Sequence, residues 1–268
     1  MTEPELELGE VQQTLFIPLA ARAADTRRRR PVLRDPKAIL VLDEIAFDQR
    51  AYGRGWGGWI TVLRGALFDR WVRGFLHRHP SGTVVELGTG LNTRFERLDN
   101  GQVHWLDVDL PDTIALRRRF FADSARRRMV AASFLGDEWQ PLVEASPPPY
   151  CFVSEGMLVY LPEPAMARAV AGLARRFAGA ELMLDVYSHR LLGQQHRLAE
   201  RRGVPARWAW GCDDVRVFER LGLHLLEQVD VLSPPRELRT RLPVPVRVAL
   251  PLVHLLGRHP IQLARFST

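Results

Sequence analysis

The segment Val84-Val85-Glu86-Leu87-Gly88-Thr89-Gly90 sets an apolar run directly before a Gly-x-Gly turn. With no Cβ at Gly88 or Gly90 the backbone can approach a bound cofactor closely, so both are candidate cofactor contacts. Glu86, two residues before the first glycine, falls at the carboxyl end of that run and joins them. A second run ends in Trp105-Leu106-Asp107-Val108-Asp109, so Asp109 lies 19 residues after Gly90, near the ~20-residue offset at which an acid grips ribose hydroxyls. Together these residues form a nucleoside-binding pattern, although a bare Gly-x-Gly also serves as a plain turn and Asp109 as the cap of a helix opening at Pro111. Thr93 stands where the dinucleotide fingerprint requires a third glycine, which counts against NAD. S-adenosylmethionine, which carries no phosphate, suits the pattern better.

Other residues gather after later apolar runs. Glu155 ends one of them, where a charge needs a partner, and is read as a cofactor contact. Tyr187 and His189 follow the run Glu181 to Val186, at the edge where open α/β sheets bind ligands; they are the candidate catalytic residues, with His189 read equally as an exposed turn residue. Tyr160 and Met157 either shape an acceptor pocket or pack. Trp208 and Trp210 would share one face of a strand, as an acceptor wall or as core. The two cysteines, Cys151 and Cys212, form no metal-ligand pair, and no metal site is expected.

The elements that must position these residues begin with a helical first part, Glu10 to Ala24 and Ile60 to Leu76, interrupted by the charge run Arg27 to Arg30 and the glycine-rich break at Gly53 to Gly58. From Thr83 onward short apolar runs alternate with helical segments, the pattern of a mostly parallel sheet covered on both faces. The expected strands are Thr83 to Leu87, Val103 to Val108, Met129 to Ala131, Tyr150 to Ser154, Glu181 to Tyr187, Leu223 to Asp230 and Ile261 to Phe266. Helices are expected over Pro111 to Arg128, Glu163 to Phe177 and Val215 to Leu221, with an irregular proline- and arginine-rich cover after Ser233. The reading is one Rossmann-like α/β domain over 1–268, with residues 1–80 as a helical cover and acceptor-lid insertions around 188–214.

The 268 residues, 46% hydrophobic and 25% charged, exclude a disordered, collagen-like or membrane-bundle chain. The net charge of +6 is carried almost wholly by arginine, with Lys37 the lone lysine. That uniformity reads as compositional bias rather than a nucleic-acid footprint. An acidic start, Glu3 and Glu5, and an apolar stretch broken by Pro18 and Arg22 argue against an export signal, and Val244 to Gly257 is too short and proline-broken to span a bilayer. A cytoplasmic protein is expected, with neither nucleic acid nor membrane as partner.

Val84 to Arg94 (VVELGTGLNTR) with Phe95, Arg97 and Asp99, then Trp105 to Arg118 (WLDVDLPDTIALRR), resembles the leucine carboxyl methyltransferase family, and most of all its bacterial tetracenomycin-pathway-like O-methyltransferase branch. The resemblance continues in Leu19 to Ala23, Arg34 to Ala38, Arg64 to Leu76, Ala132-Ser133-Phe134 and Ser154 to Leu161, and so runs over residues 12–190. It implies a class I methyltransferase fold using S-adenosylmethionine. It further implies that Arg64 pairs with the cofactor carboxylate, Gly88 and Gly90 form the turn beside it, Asp109 takes the ribose, Ser133 and Phe134 flank the adenine, Glu155 faces the amino or sulfonium side, and Arg22 adds a basic contact. The family usually has Asp where this chain has Asn92.

A carboxylate acceptor is ionised at neutral pH and needs no general base, whereas a hydroxyl acceptor needs one, for which His189 is the candidate. With no His/Asp pair evident in the sequence, the expected reaction is methyl-ester formation on a small polyketide-like carboxylic acid. The rival readings are hydroxyl O-methylation, an NAD-dependent oxidoreductase and a non-catalytic cofactor-binding module.

Overall fold

Seven strands, β1 (Thr83–Leu87), β2 (His104–Asp109), β3 (Arg127–Ala131), β4 (Tyr150–Ser154), β5 (Glu181–Tyr187), β6 (His224–Asp230) and β7 (Ile261–Ser267), make one sheet in the order β3-β2-β1-β4-β5-β7-β6. All neighbours pair in parallel except β7, which runs antiparallel to both β5 and β6. The computed structural model describes residues 12–45, 55–202, 208–255 and 259–268. The expected residues Glu10, Val11, Gly53 and Arg54, and part of the expected lid at 203–207, lie outside them.

β1 is buried along its whole length, and β2, β4 and β5 are buried except at their ends, because helices cover both faces. Edge strand β6 instead alternates exposed and half-buried residues. One face is covered by α3 (Gly55–Arg78), whose Val62, Leu63, Leu67, Phe68, Trp71 and Phe75 lie on Val84, Cys151 and Met183 of the sheet. The other face carries α6 (Gln140–Glu144) and α7 (Glu163–Arg176), packed through Val143, Met166, Val170 and Leu173. Before α3, a short 3-10 turn (Gln12–Leu15) leads into α1 (Phe16–Thr26), then α2 (Pro36–Glu44), capped by Asp35, which accepts the Ala38 N–H at 3.0 Å. α1 and α2 share a third apolar cluster with Leu91 after the glycine turn and with Ile114 of α5 (Pro111–Arg117); α4 (Arg94–Leu98) lies between β1 and β2.

Several expected elements differ. The helix expected to run from Pro111 to Arg128 stops at Arg117, and β3 begins two residues early, at Arg127. No proline or glycine marks the stop. Tertiary contacts set it: Arg117 Nη1 turns inward to donate to the Gly90 and Asn92 carbonyls at 2.9 and 2.7 Å, and Arg127 must reach register with Trp105. Past Ser233 the chain is helical, in α9 (Arg236–Arg239) and α10 (Val244–Leu255), where irregular cover was expected. Pro245 sits in the first turn of α10, where proline is tolerated, and Leu250 anchors the helix around Pro251. Residues 208–210 form no strand, so Trp208 and Trp210 do not share a face. Trp208 packs with the α3-side cluster, whereas Trp210 is buried on the α7 side, its Nε1 donating to the Leu158 carbonyl at 2.7 Å. α8 (His189–Arg202) fills much of the expected lid region.

Candidate active site

The carboxyl ends of the parallel strands bring together Gly88 after β1, Asp109 at the end of β2, Ser154 at the end of β4 with Glu155 after it, and Asp185 and Tyr187 on β5. Gly88 and Gly90 have φ of +69° and +49°, a region that side-chain-bearing residues avoid. Both are covered. A Cβ on Gly88 would stand 2.6 Å from Met157 Cβ, and one on Gly90 2.7 Å from Leu15 Cδ2 of the N-terminal 3-10 turn. Asp109 closes the turn by accepting the Gly90 N–H at 2.7 Å through Oδ2, while Oδ1 takes the N–H of Leu110. Burial pushes its carboxyl up to about 6, against the pull of those two N–H donors. An acid this short of positive partners can accept hydrogen bonds from a diol.

Behind the turn lies a buried ion network. Arg94 has no exposed side-chain surface and reaches Asp69 at 2.8 Å, Glu155 at 2.5 Å and also Glu86. Arg97 binds Asp69 and Asp35, and Arg22 binds Asp35 at 2.9 Å and the Leu91 carbonyl at 2.8 Å. Arg64 Nε donates to Glu155 at 3.1 Å, and its Nη1 donates to the Tyr187 hydroxyl and lies 3.5 Å from Asp185. Among the described residues, five carboxylates (Asp35, Asp69, Glu86, Glu155, Asp185) therefore face four guanidinium groups (Arg22, Arg64, Arg94, Arg97). Burial raises Glu155 as well, but Arg64, Arg94 and Arg22 outweigh it and hold the group below the ordinary range. Asp185, left with one guanidinium and the Gly156 N–H, is pushed by burial up to about 6. The surplus of negative charge suits a cationic ligand.

The cofactor candidates thus divide. Gly88, Gly90, Asp109, Glu155 and Arg64 stand at the open end of the sheet, and Arg22 touches the residue after the turn. Glu86, one residue short of the carboxyl end of β1, is 2% exposed and sits behind Arg94, with burial raising its carboxyl. Ser133 Oγ accepts the Leu135 N–H, and Phe134 stacks on Trp139 at 6.4 Å and lines an open groove of about 490 Å³ with Leu135, Asp137 and Gln140. Asn92 Oδ1 accepts from Arg97 at 3.4 Å; Asp35 and Asp69 already supply Arg97 with negative charge, so the missing charge at Asn92 leaves no cation unpaired there. Asp185 and Arg94 were missed. Asp185, a charge inside the apolar run ELMLDVY, carries the same signal as Glu155, but the partners of Arg94 are scattered over positions 69, 86 and 155.

On the acceptor side, Tyr187 accepts from Arg64, lies 3.3 Å from Asp185 Oδ2 as a donor, and packs on Trp208 with ring centroids 4.6 Å apart. Burial raises its phenol well above the usual range. Tyr160, Leu191 and Trp208 are half-buried against the same cluster, and the Tyr160 hydroxyl is 3.4 Å from Thr14. His189 pairs with Asp213, Nδ1 to Oδ2, at 2.8 Å, both side chains about two-thirds exposed, and Asp213 also takes the His189 N–H. The sequence reading found no His/Asp pair; the structure brings one together across 24 residues.

Among known proteins, the family model for leucine carboxyl methyltransferase matches residues 16–174. The chain is 32% identical to the tetracenomycin polyketide synthesis O-methyltransferase of Streptomyces glaucescens over 86% of each protein. It is 26% identical to an S-adenosyl-L-methionine-dependent methyltransferase of Gibberella zeae, over 87% of this chain and 88% of that one. In fold it is similar to a DUF574 family protein from Streptomyces avermitilis (TM-score 0.57, 14% identity, 93% and 97% covered). It is also similar to a magnesium protoporphyrin IX methyltransferase from Synechocystis (TM-score 0.50, 12% identity, 82% and 91% covered).

Proposed function

Because the chain belongs to the leucine carboxyl methyltransferase family and is an S-adenosylmethionine-dependent methyltransferase, we propose that it forms the methyl ester of a carboxyl group on a small, apolar, polyketide-like acid. The donor set at the sheet edge fits the cofactor: an underpaired acid for a diol, arginines for a carboxylate, and an acidic surplus for an ammonium and a sulfonium. Asp109 would hold the ribose hydroxyls, Arg64 with Arg22 the carboxylate, Glu155 and Asp185 the positive groups, and Phe134 with Ser133 the adenine. Bound there, S-adenosylmethionine supplies an electrophilic methyl group. The chain's own residues orient the acceptor and exclude water, with Leu15 and Met157 closing over the glycine turn.

The observation that carries the carboxyl reading is the state of Tyr187. Its buried phenol is held protonated, accepting from Arg64 and directed to Asp185, so it offers orientation and no base. A carboxylate needs none. Trp208, Tyr160 and Leu191 supply an apolar wall beside it, and Trp210 drops out as core. The His189–Asp213 pair favours a second reading, hydroxyl methylation, because Asp213 on Nδ1 leaves Nε2 free to take a proton. Its exposure to water and its part in binding the first N–H of α8 argue for a capping role instead. The NAD reading gives way to the family assignment.

We take the chain as one methyltransferase domain acting in the cytoplasm on a small molecule, with no nucleic-acid or membrane partner. The test is a matched pair of aromatic acceptors, one a carboxylic acid and one the corresponding phenol, assayed for S-adenosylhomocysteine release with the native chain and H189A. The expected outcome is turnover of the acid by both proteins at rates within about twofold. Turnover of the phenol alone, lost in H189A, would overturn the carboxyl reading.

A further inference from the structure

We propose that Asp230, His254 and His259 form a zinc site that clips α10 to the edge of the sheet, a proposal independent of the acceptor assignment. Asp230 ends β6, His254 lies in the last turn of α10, and His259 stands just before β7. One ligand atom from each falls within 4.8 Å of the others. Asp230 Oδ2 is 2.5 Å from His259 Nδ1 and 3.8 Å from His254 Nδ1. The wider separation is close to the edge of about 3.3 Å that a tetrahedron with 2.0–2.1 Å metal–ligand bonds requires, and the shorter one is a hydrogen bond that the ion would open and replace.

Two further features favour an ion over a chance cluster. Among the described residues the buried atom His254 Nδ1 has no hydrogen-bond partner, although a third of the side chain is exposed; Asp230 is too far for a hydrogen bond, and a buried acceptor or donor left unmade is costly. A cation between the two would satisfy both. The carboxylate is also held in place, since Oδ1 accepts the Leu232 N–H at 2.7 Å and leaves Oδ2 aimed at the imidazoles. The histidines are separated by four residues, within the H-x3–5-H spacing of zinc sites. Two imidazoles and one carboxylate form a donor set that zinc favours, with water on the exposed side as the fourth ligand.

The clip has a structural consequence. β6 runs parallel to β5, so Asp230 lies at the same sheet edge as Tyr187, two strands away. Pro260, next to His259, accepts the Ser188 N–H at 3.1 Å. Zinc would thus fix the entry to β7 and, through it, the start of α8.

The test uses the full, untagged chain stripped with a chelator and titrated with zinc by calorimetry, then with cobalt(II) by absorption. Expected are one zinc per chain, the intense visible bands of four-coordinate cobalt, and a loss of zinc affinity beyond 100-fold in H254A and in H259Q, larger than outer-shell changes cause. H77A serves as the control and should bind as the native chain does. Failure of the native chain to bind zinc, a weak six-coordinate cobalt spectrum, or equal binding by the H254A/H259Q double variant would overturn the proposal. The native titration decides the matter even if a variant does not fold.

Discussion

Asp109 and Arg94 represent the two kinds of residue that make this site, one underpaired and one fully paired. Asp109 is lifted from 3.8 to about 6 by burial, so its proton is bound more tightly in the folded chain. A ligand that donates hydrogen bonds to the carboxylate favours its ionised form. Affinity for S-adenosylhomocysteine should therefore rise as pH climbs from 5 through 6 to 7.5 in the native chain. D109N should bind about 10- to 100-fold more weakly at pH 7.5, the worth of hydrogen bonds to a charged group. Calorimetric titrations at the three pH values check this, and because burial also raises Asp185 and Glu86, a slope remaining in D109N reports those acids. Arg94 is the opposite case: R94M leaves Asp69, Glu86 and Glu155 buried around a missing charge and should lose about 3–5 kcal/mol in urea unfolding. The glycine pair and Asp109 were legible in the sequence because their spacing is local and their chemistry specific. Arg94 was not, since its meaning depends on acids that only the fold brings together. The place of Glu86 near the strand end was likewise legible, but the guanidinium in front of it was not.

At the scale of elements, the strands were legible nearly to the residue, because a sheet buried on both faces demands unbroken apolar runs. Helix ends were not, as α5 shows. Its sequence would continue as helix, and it stops because Arg117 and Arg127 are needed beneath the glycine turn and on Asp107. Trp208 and Trp210 were paired by period two, but without a strand that period carries no meaning, and the two rings fall on opposite faces of the sheet. The turn after β1 offers a direct test of how closely elements meet. G88A places a Cβ at φ +69° against Met157 and should lower stability by more than about 1–2 kcal/mol, the strain of that backbone region alone. M157A should be less damaging in the G88A background than in the native chain, a coupling readable from thermal unfolding of the four proteins.

Over the whole molecule, a minority of the arginines, Arg22, Arg64, Arg94, Arg117 and Arg127, are buried and paired. The buried acids Asp25, Asp35, Asp69, Glu86, Asp107 and Asp185 match them, so the positive excess of the chain stays at the surface. The same network sets the pH response of stability. Asp109 and Asp185, raised to about 6, contribute stability that is complete below about 3.8 and lost as pH rises through 6. Asp69, which burial alone would raise, is lowered to about 2 by Arg97 and Arg94; it contributes stability present above 3.8 and lost as pH falls through 2. The ligand-free chain should therefore melt a few degrees higher at pH 5 than at pH 7.5 in a calorimetric scan, and S-adenosylhomocysteine should narrow that gap.

The central claim is that this sheet edge transfers a methyl group to a carboxylate, and the chemical lability of the product tests it most directly. The chain is incubated with S-adenosylmethionine labelled in its methyl group and a panel of apolar aromatic carboxylic acids, each also bearing a phenol, and the extracted product is treated with mild alkali. An ester releases its label as volatile methanol, and that release is the expected result. Label that remains in the organic product after alkali treatment would place the methyl group on a hydroxyl or carbon and contradict the account.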